Sequence, residues 1–179
     1  MAQSAHGHFN YQIGRKGAIA LGYDSALVET IPDDALNSFC GVGNPFAISS
    51  ILPGSKILDI GCGLGVDLLV AREIVGESGH VCGIDLTEEM VNTAQFLIKG
   101  TGYENISVQH VTSEKIPYND KRFDNVISNG VFNLSPSKLE LFREIRRVMK
   151  PGGILQFADV CLVEGKVLDQ TSSPDDWAQ

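Results

Sequence analysis

The chain has 179 residues, 43% hydrophobic and 20% charged, which fits one folded domain with its own core and excludes a disordered chain. The formal net charge is −8 and no Lys/Arg-rich stripe is present, so a nucleic-acid backbone is not an expected partner. No apolar run has the length of a membrane span, and Met1–Asn10 lacks the apolar centre of a signal peptide, so the expected location is cytoplasmic, away from membranes.

A leader over residues 1–53 is expected to form a helical lid, with short helices near Gly17–Leu21 and Asp24–Thr30. Asn44-Pro45 pairs an N-cap with Pro at the first helical position. It predicts a short helix packed down by Phe46, Ala47, Ile48, Ile51 and Leu52, closed by the Pro53-Gly54 turn.

The body, residues 54–160, alternates strands with helices. Lys56–Ile60 is a short apolar strand, Gly61–Gly65 a glycine turn, and Val66–Val75 a helix stopping at Gly76. His80–Leu86 is the second strand. Thr87 is expected to cap the next helix, with Glu88 and Glu89 in its first turn, where negative charge suits the dipole. Met90, Val91, Ala94, Leu97 and Ile98 share one face of that helix, and Gly100 and Gly102 end it. Ile106–Val111 and Phe123–Ser128 are further strands, separated by a short connection with a helical turn expected around Asp120. Ser135-Pro136 is expected to open a helix with Leu141, Phe142, Ile145, Val148 and Met149 on one face. Its Arg143, Arg146 and Arg147 fit a solvated face. Pro151-Gly152-Gly153 is expected to stop it before a fifth strand, Ile154–Val160. Residues 161–179 are a polar tail. Such alternation gives right-handed βαβ units and a mainly parallel α/β sheet with helices on both faces.

Cys40, Cys62, Cys82 and Cys161 form no C-x-x-C pair, and His6, His8 and His80 have no second ligand at metal-site spacing, so no metal is expected. The chemistry concentrates in Asp59-Ile60-Gly61-Cys62-Gly63-Leu64-Gly65. Glycines let the backbone turn off the strand and approach a ligand, and the following helix start presents free N–H groups to an anion. Asp85 ends the second strand, where a carboxylate can take both hydroxyls of a ribose. The third glycine falls one residue early for the dinucleotide fingerprint. An NAD(P)-dependent oxidoreductase is therefore disfavoured but stays open on this loop alone, and Asp59 and Asp85 could also serve as turn or capping residues.

Three further stretches make a set with this turn: Gly83-Ile84-Asp85-Leu86, Phe123-Asp124-Asn125-Val126-Ile127-Ser128-Asn129 and Lys150-Pro151-Gly152-Gly153. In this order they resemble class I S-adenosylmethionine-dependent methyltransferases, which have a Rossmann-like fold. Within that group the chain is most similar to arsenite methyltransferases, through Leu21-Gly22-Tyr23, Gly43-Asn44-Pro45, Gly79–Met90 and Ser128–Pro136. The resemblance implies S-adenosylmethionine as cofactor and a small-molecule methyl acceptor. It implies cofactor contacts from Asp59, Gly61, Cys62, Gly63, Gly65 and Asp67, from Asp85 to the ribose, and from Leu86 and Met90 flanking adenine. Thr112, Ser113 and Glu114 would lie at the adenine amino group, where the family usually has an acid. Asn129 and Gly130 would end the fourth strand at the site, and Tyr11 would fold over it as part of the lid. No catalytic base is identified.

The family's arsenic-binding cysteines are replaced here by Val42, Leu68 and Gly130, so the fold and cofactor are expected to carry over and the arsenic chemistry is not. Members of the group add an antiparallel strand pair after the fifth strand, for which this chain has no room. A fifth-strand edge covered by a homodimer contact, or a cofactor-binding module without turnover, is the alternative expectation.

Overall fold

The computed structural model describes residues 12–161. The sheet is five-stranded and parallel throughout, in the order β3-β2-β1-β4-β5, from β1 (Lys56–Ile60), β2 (His80–Asp85), β3 (Ile106–His110), β4 (Phe123–Asn129) and β5 (Met149–Ala158). The order reverses at β1, whose neighbours are β2 and β4, so a crevice opens at their carboxyl ends.

One face of the sheet packs against α4 (Val66–Val75), α5 (Glu88–Thr101) and the leader helices α1 (Gly14–Ala20), α2 (Ser25–Glu29) and α3 (Asp33–Leu36). Ile57, Val81 and Ile127 bury against Val28, Leu36, Leu68, Val75 and Ile98 there. The opposite face carries Leu58, Ile60, Cys82, Ile84 and Val126. It is covered by Leu141, Ile145 and Val148 of α6 (Lys138–Val148) and by Ile116 from the loop after β3. The alternation of Leu58 and Ile60 with Ile57 follows from the two-residue period of a strand buried on both faces. Among the described residues no helix is long and apolar enough to cross a membrane.

Several elements depart from expectation. Residues Asp33–Leu36 form a short helix that was not anticipated. After Asn44 only one 3-10 turn forms, Pro45–Ala47, with Asn44 Oδ1 accepting from Phe46 N at 3.0 Å. Ile48 and Leu52 stay exposed, while Ile51 is buried in the core and Phe46 packs against it part-buried. Thr87 sits at the start of α5 without a side-chain cap. Around Asp120 the chain makes a turn at Asp120–Lys121, with Lys121 at φ +53°, that does not extend into a helix; the loop is held by Arg147, which donates to Ile116 O, Tyr118 O and Asp120 Oδ1 at 2.8 Å each. Ser135-Pro136 does not open α6: a 3-10 turn over Phe132–Leu134 comes first, and the helix begins at Lys138. Pro151-Gly152-Gly153 is not where α6 ends. The chain leaves the helix at Met149 and enters β5 directly, and the glycine stretch becomes an irregularity inside it, between the pairs Phe123↔Met149 and Asn125↔Ile154. Among the described residues β5 is an edge strand, carrying part-exposed Ile154 and Phe157. The tail expected over 161–179 lies outside the described residues apart from Cys161.

Candidate functional site

At the carboxyl end of the sheet, β1 delivers the chain into the glycine turn. Gly61 N and Cys62 N both donate to Ile84 O, at 2.8 and 3.1 Å, so the turn folds back over the end of β2. Gly61 has φ +75°, and a Cβ there would lie 2.3 Å from Val131 Cγ2. Glycine is therefore demanded twice, by the dihedral and by the close approach of the loop after β4.

Asp85 locks this turn. Its Oδ2 accepts from Gly63 N and its Oδ1 from Thr87 N, both at 2.9 Å. A carboxylate oxygen has two acceptor sites, so each keeps capacity for a ligand donor.

Two recesses meet at Gly61. The larger, about 220 Å³, is walled by Ile60, Ile84, Leu86, Val111, Val131, Leu134 and Leu141. Its polar groups come from Asp85, Thr87, Ser113, Glu114 and Ser135. The smaller, about 90 Å³, is bordered by Phe39, Cys40 and Gly41 of the leader, by Asp59 and Gly61–Leu64, and by Val66, Asp67 and Asn129.

The smaller recess is organised by a buried polar network. Tyr23 O–H donates to Asp67 Oδ1 at 2.7 Å, and Asn129 Nδ2 donates to Tyr23 Oη at 3.0 Å, Gly43 O at 2.9 Å and Asp67 Oδ2 at 3.3 Å. Asn129 Oδ1 accepts from Val42 N and Gly43 N, at 2.8 and 3.2 Å. Asn129 thus clamps the leader onto the end of β4. A Cβ on Gly41 would meet Asn129 Nδ2 at 2.3 Å, so that leader position is tailored to the clamp.

The two acids of this recess are in different situations. Both oxygens of Asp67 are engaged; burial still pushes its carboxyl up to about 6, against the hydrogen bonds from Tyr23 and Asn129. Asp59, 2% exposed, has Oδ2 buried with no partner. Burial, then the charges of Asp67 and Asp85, hold its carboxyl well above the usual range. A cation entering the recess would reverse that penalty. Cys62 and Cys40 are also raised, Cys62 by burial and the charges of Asp59 and Asp85, Cys40 by burial, so both stay thiols at neutral pH.

The structure brings together most residues singled out in the sequence: Asp59, Gly61, Cys62, Gly63, Asp67 and Asn129 at the smaller recess, and Asp85, Leu86, Ser113 and Glu114 at the larger. It leaves others aside. Met90 and Thr112 line neither recess. Gly65 is the left-handed start of α4, facing Leu68, Ala94 and Ile98. Gly130 lies beneath Val42 rather than at a recess: its Cβ would stand 3.4 Å from Val42 Cγ1. Ser128 donates to Ile60 O at 2.9 Å and is structural. Tyr11 lies outside the described residues. Tyr23, Gly41, Val131 and Ser135 were not anticipated. Tyr23 lies in the Leu21-Gly22-Tyr23 stretch and Val131 and Ser135 in Ser128–Pro136, so those three had a local signal and Gly41 had none. Among the described residues no group of three or more His, Cys, Asp or Glu is placed to hold a metal ion.

A family model described as a methyltransferase domain matches residues 51–177. An arsenite methyltransferase of Halobacterium salinarum is 38% identical over 144 residues, which cover 80% of this chain and 37% of that protein. A demethylmenaquinone methyltransferase of Bacillus subtilis is 33% identical over 129 residues, 72% of this chain and 50% of that one. Among solved structures, an arsenic(III) S-adenosylmethionine methyltransferase from Chlamydomonas reinhardtii aligns with TM-score 0.68 and 36% identity, covering 75% of this chain and 47% of that chain. A SAM-dependent methyltransferase from Aquifex aeolicus aligns with TM-score 0.57 and 27% identity, covering 78% and 69%. The chain thus spans half or less of the curated relatives named here.

Proposed function

Because the chain belongs to the methyltransferase domain family, we propose that it binds S-adenosylmethionine across the two recesses and transfers its methyl group to a small-molecule acceptor. One observation carries the proposal. An unpartnered buried carboxylate oxygen, Asp59 Oδ2, stands on one side of the Gly61 crossing, and an apolar slot ending in Asp85 stands on the other. An amino-acid ammonium suits the first and an adenosine the second.

When bound, the cofactor supplies a methyl group on a sulfonium. Asp59, whose buried Oδ2 has no hydrogen-bond partner, is the acid proposed to hold an ammonium, beside Asp67, whose oxygens already accept from Tyr23 and Asn129. Asp85 anchors the glycine turn and accepts from ribose hydroxyls. Leu86, 63% exposed at the mouth of the slot, flanks the adenine. Glu114 is the acceptor for the adenine amino group. The Asn129 clamp keeps leader residues 41–43 over the smaller recess, which aligns the reactants and limits water.

The acceptor is proposed not to be held through thiolates. Val42 and Gly130 pack on each other, Leu68 is fully buried, and Cys40 and Cys62 are held as thiols. A second reading, cofactor binding without turnover, is favoured by one observation: among the described residues no histidine or lysine that could deprotonate an acceptor lines either recess.

The test is calorimetric titration with S-adenosylmethionine, S-adenosylhomocysteine and NADH, on the wild type and on Asp85→Ala. Binding of the first two alone, weakened about 100-fold in the variant, is the expected result, because a charged acceptor serving both turn and ligand is removed. A folded wild-type protein that binds neither sulfur ligand overturns the proposal. Methylation of arsenite would overturn the acceptor assignment.

A further inference from the structure

The larger recess is mostly apolar in its lining, which also carries a polar pair from two separate segments. Ser135 Oγ lies 3.1 Å from Glu114 Oε1, and the same Oγ accepts from Ser137 N at 3.2 Å. The hydroxyl has one proton. With the Ser137 N–H pointing at its lone pair, that proton goes to Glu114, so the serine donates to the carboxylate. The turn carrying Ser135 is itself pinned, because Lys138 Nζ donates to Asn133 O at 3.0 Å and Ser135 O at 2.9 Å. Glu114 lines the recess, and its Oε2 makes no protein hydrogen bond among the described residues, so one oxygen is fixed and the other keeps its acceptor capacity.

We propose that Ser135 is a specificity-determining positioning residue: it holds the Glu114 carboxylate so that the recess selects a 6-amino purine over a 6-oxo purine. The inference rests on the cofactor assignment proposed above. A carboxylate in a fixed position can only accept, so it matches an amino group and opposes a carbonyl oxygen. Without the serine, Glu114 is free to swing toward solvent, and the mismatch is relieved.

The experiment compares S-adenosylhomocysteine with S-inosylhomocysteine by calorimetry on the full chain. The wild type is expected to prefer the adenosyl ligand by about 30-fold. Ser135→Ala should cut that ratio to about 5-fold or less, with a modest fall in the thermal midpoint from the lost bond to Ser137 N, and Ser135→Thr, which keeps the hydroxyl, should restore both. A purely structural role would weaken both ligands together and leave the ratio intact. A ratio unchanged in Ser135→Ala, or a wild type that binds both ligands equally, overturns the inference while leaving the cofactor assignment standing. A folded wild type that binds neither ligand overturns both. If Ser135→Ala does not fold, Ser135→Cys, close in shape and a poor donor, reads the same ratio.

Discussion

The two recesses that meet at Gly61 are built on different length scales. The larger is held by hydrogen bonds of shorter span: Gly63 with Asp85 across 22 residues and Glu114 with Ser135 across 21. The smaller is closed by the leader, through bonds spanning 44 residues from Tyr23 to Asp67, 86 from Gly43 to Asn129 and 106 from Tyr23 to Asn129. One recess is therefore a product of the sheet and its turns, and the other depends on how the leader docks. A disturbance of the leader should loosen the smaller recess and spare the larger.

The strongest way to break that division is to strike where the recesses join. Gly61→Ala places a methyl 2.3 Å from Val131 at φ +75°. Strain and overpacking together should cost about 3 kcal/mol in urea unfolding and abolish binding of both adenosine and S-adenosylhomocysteine. Gly63→Ala is the control: its φ is +50° but a Cβ meets nothing within 4 Å, so a loss of only about 1 kcal/mol is expected. If the two variants behave alike, the approach of Val131 does not shape the crossing.

Tyr23→Phe sharpens the comparison by touching the leader alone. Removing the hydroxyl leaves Asp67 Oδ1 buried without its partner, which should cost about 2 kcal/mol. Adenosine, which needs only the larger recess, should bind as before, while S-adenosylhomocysteine weakens by about tenfold. An equal loss for both ligands in calorimetry would mean that the recesses are not independent.

The same contrast governs what the sequence discloses. The bounds of β1, α4, β2 and α5 follow from apolar periodicity and glycine stops, and the turn from Asp59 to Gly65 is visible because its glycines sit together. Asp85 is legible for the same reason, standing at a strand end beside that turn. Tyr23, Gly41 and Ser135 carry no comparable pattern: each is defined by a partner in another segment, which periodicity cannot supply. The elements misplaced in the sequence are also those decided at long range. Pro151-Gly152-Gly153 looks like a helix stop, yet pairing with β4 draws the chain into a strand from Met149. The stretch after Pro45 looks helical, yet it turns only once before Ile51 enters the core.

A pH series tests whether Asp67 belongs to the buried network. Its carboxyl is raised from 3.8 to about 6 in the folded protein, chiefly by burial. The folded state therefore holds the proton more tightly than the unfolded one. This contribution is complete below the unfolded value and is lost as pH rises through about 6. Relative to Asp67→Asn, which cannot titrate, the wild type should lose stability between pH 4 and about 6.5 in urea titrations and run parallel above that. Parallel curves over the whole range would place Asp67 in contact with solvent, contrary to the hub that Tyr23 and Asn129 make around it.

The mildest variant asks whether any tie of the leader matters, or only those inside the recess. Asn44 fastens the leader on its outer side: Oδ1 accepts from Phe46 N at 3.0 Å and Nδ2 donates to Gly22 O at 2.9 Å. Asn44→Ala removes a cap and a surface bond, for a loss of about 1 kcal/mol in thermal unfolding. Because neither bond reaches Asn129 or Asp67, adenosine and S-adenosylhomocysteine should both keep their wild-type affinities. If S-adenosylhomocysteine weakens here as it does in Tyr23→Phe, the smaller recess responds to the leader as a whole body. Its geometry would then be set by docking of the entire segment rather than by the Tyr23–Asn129 clamp.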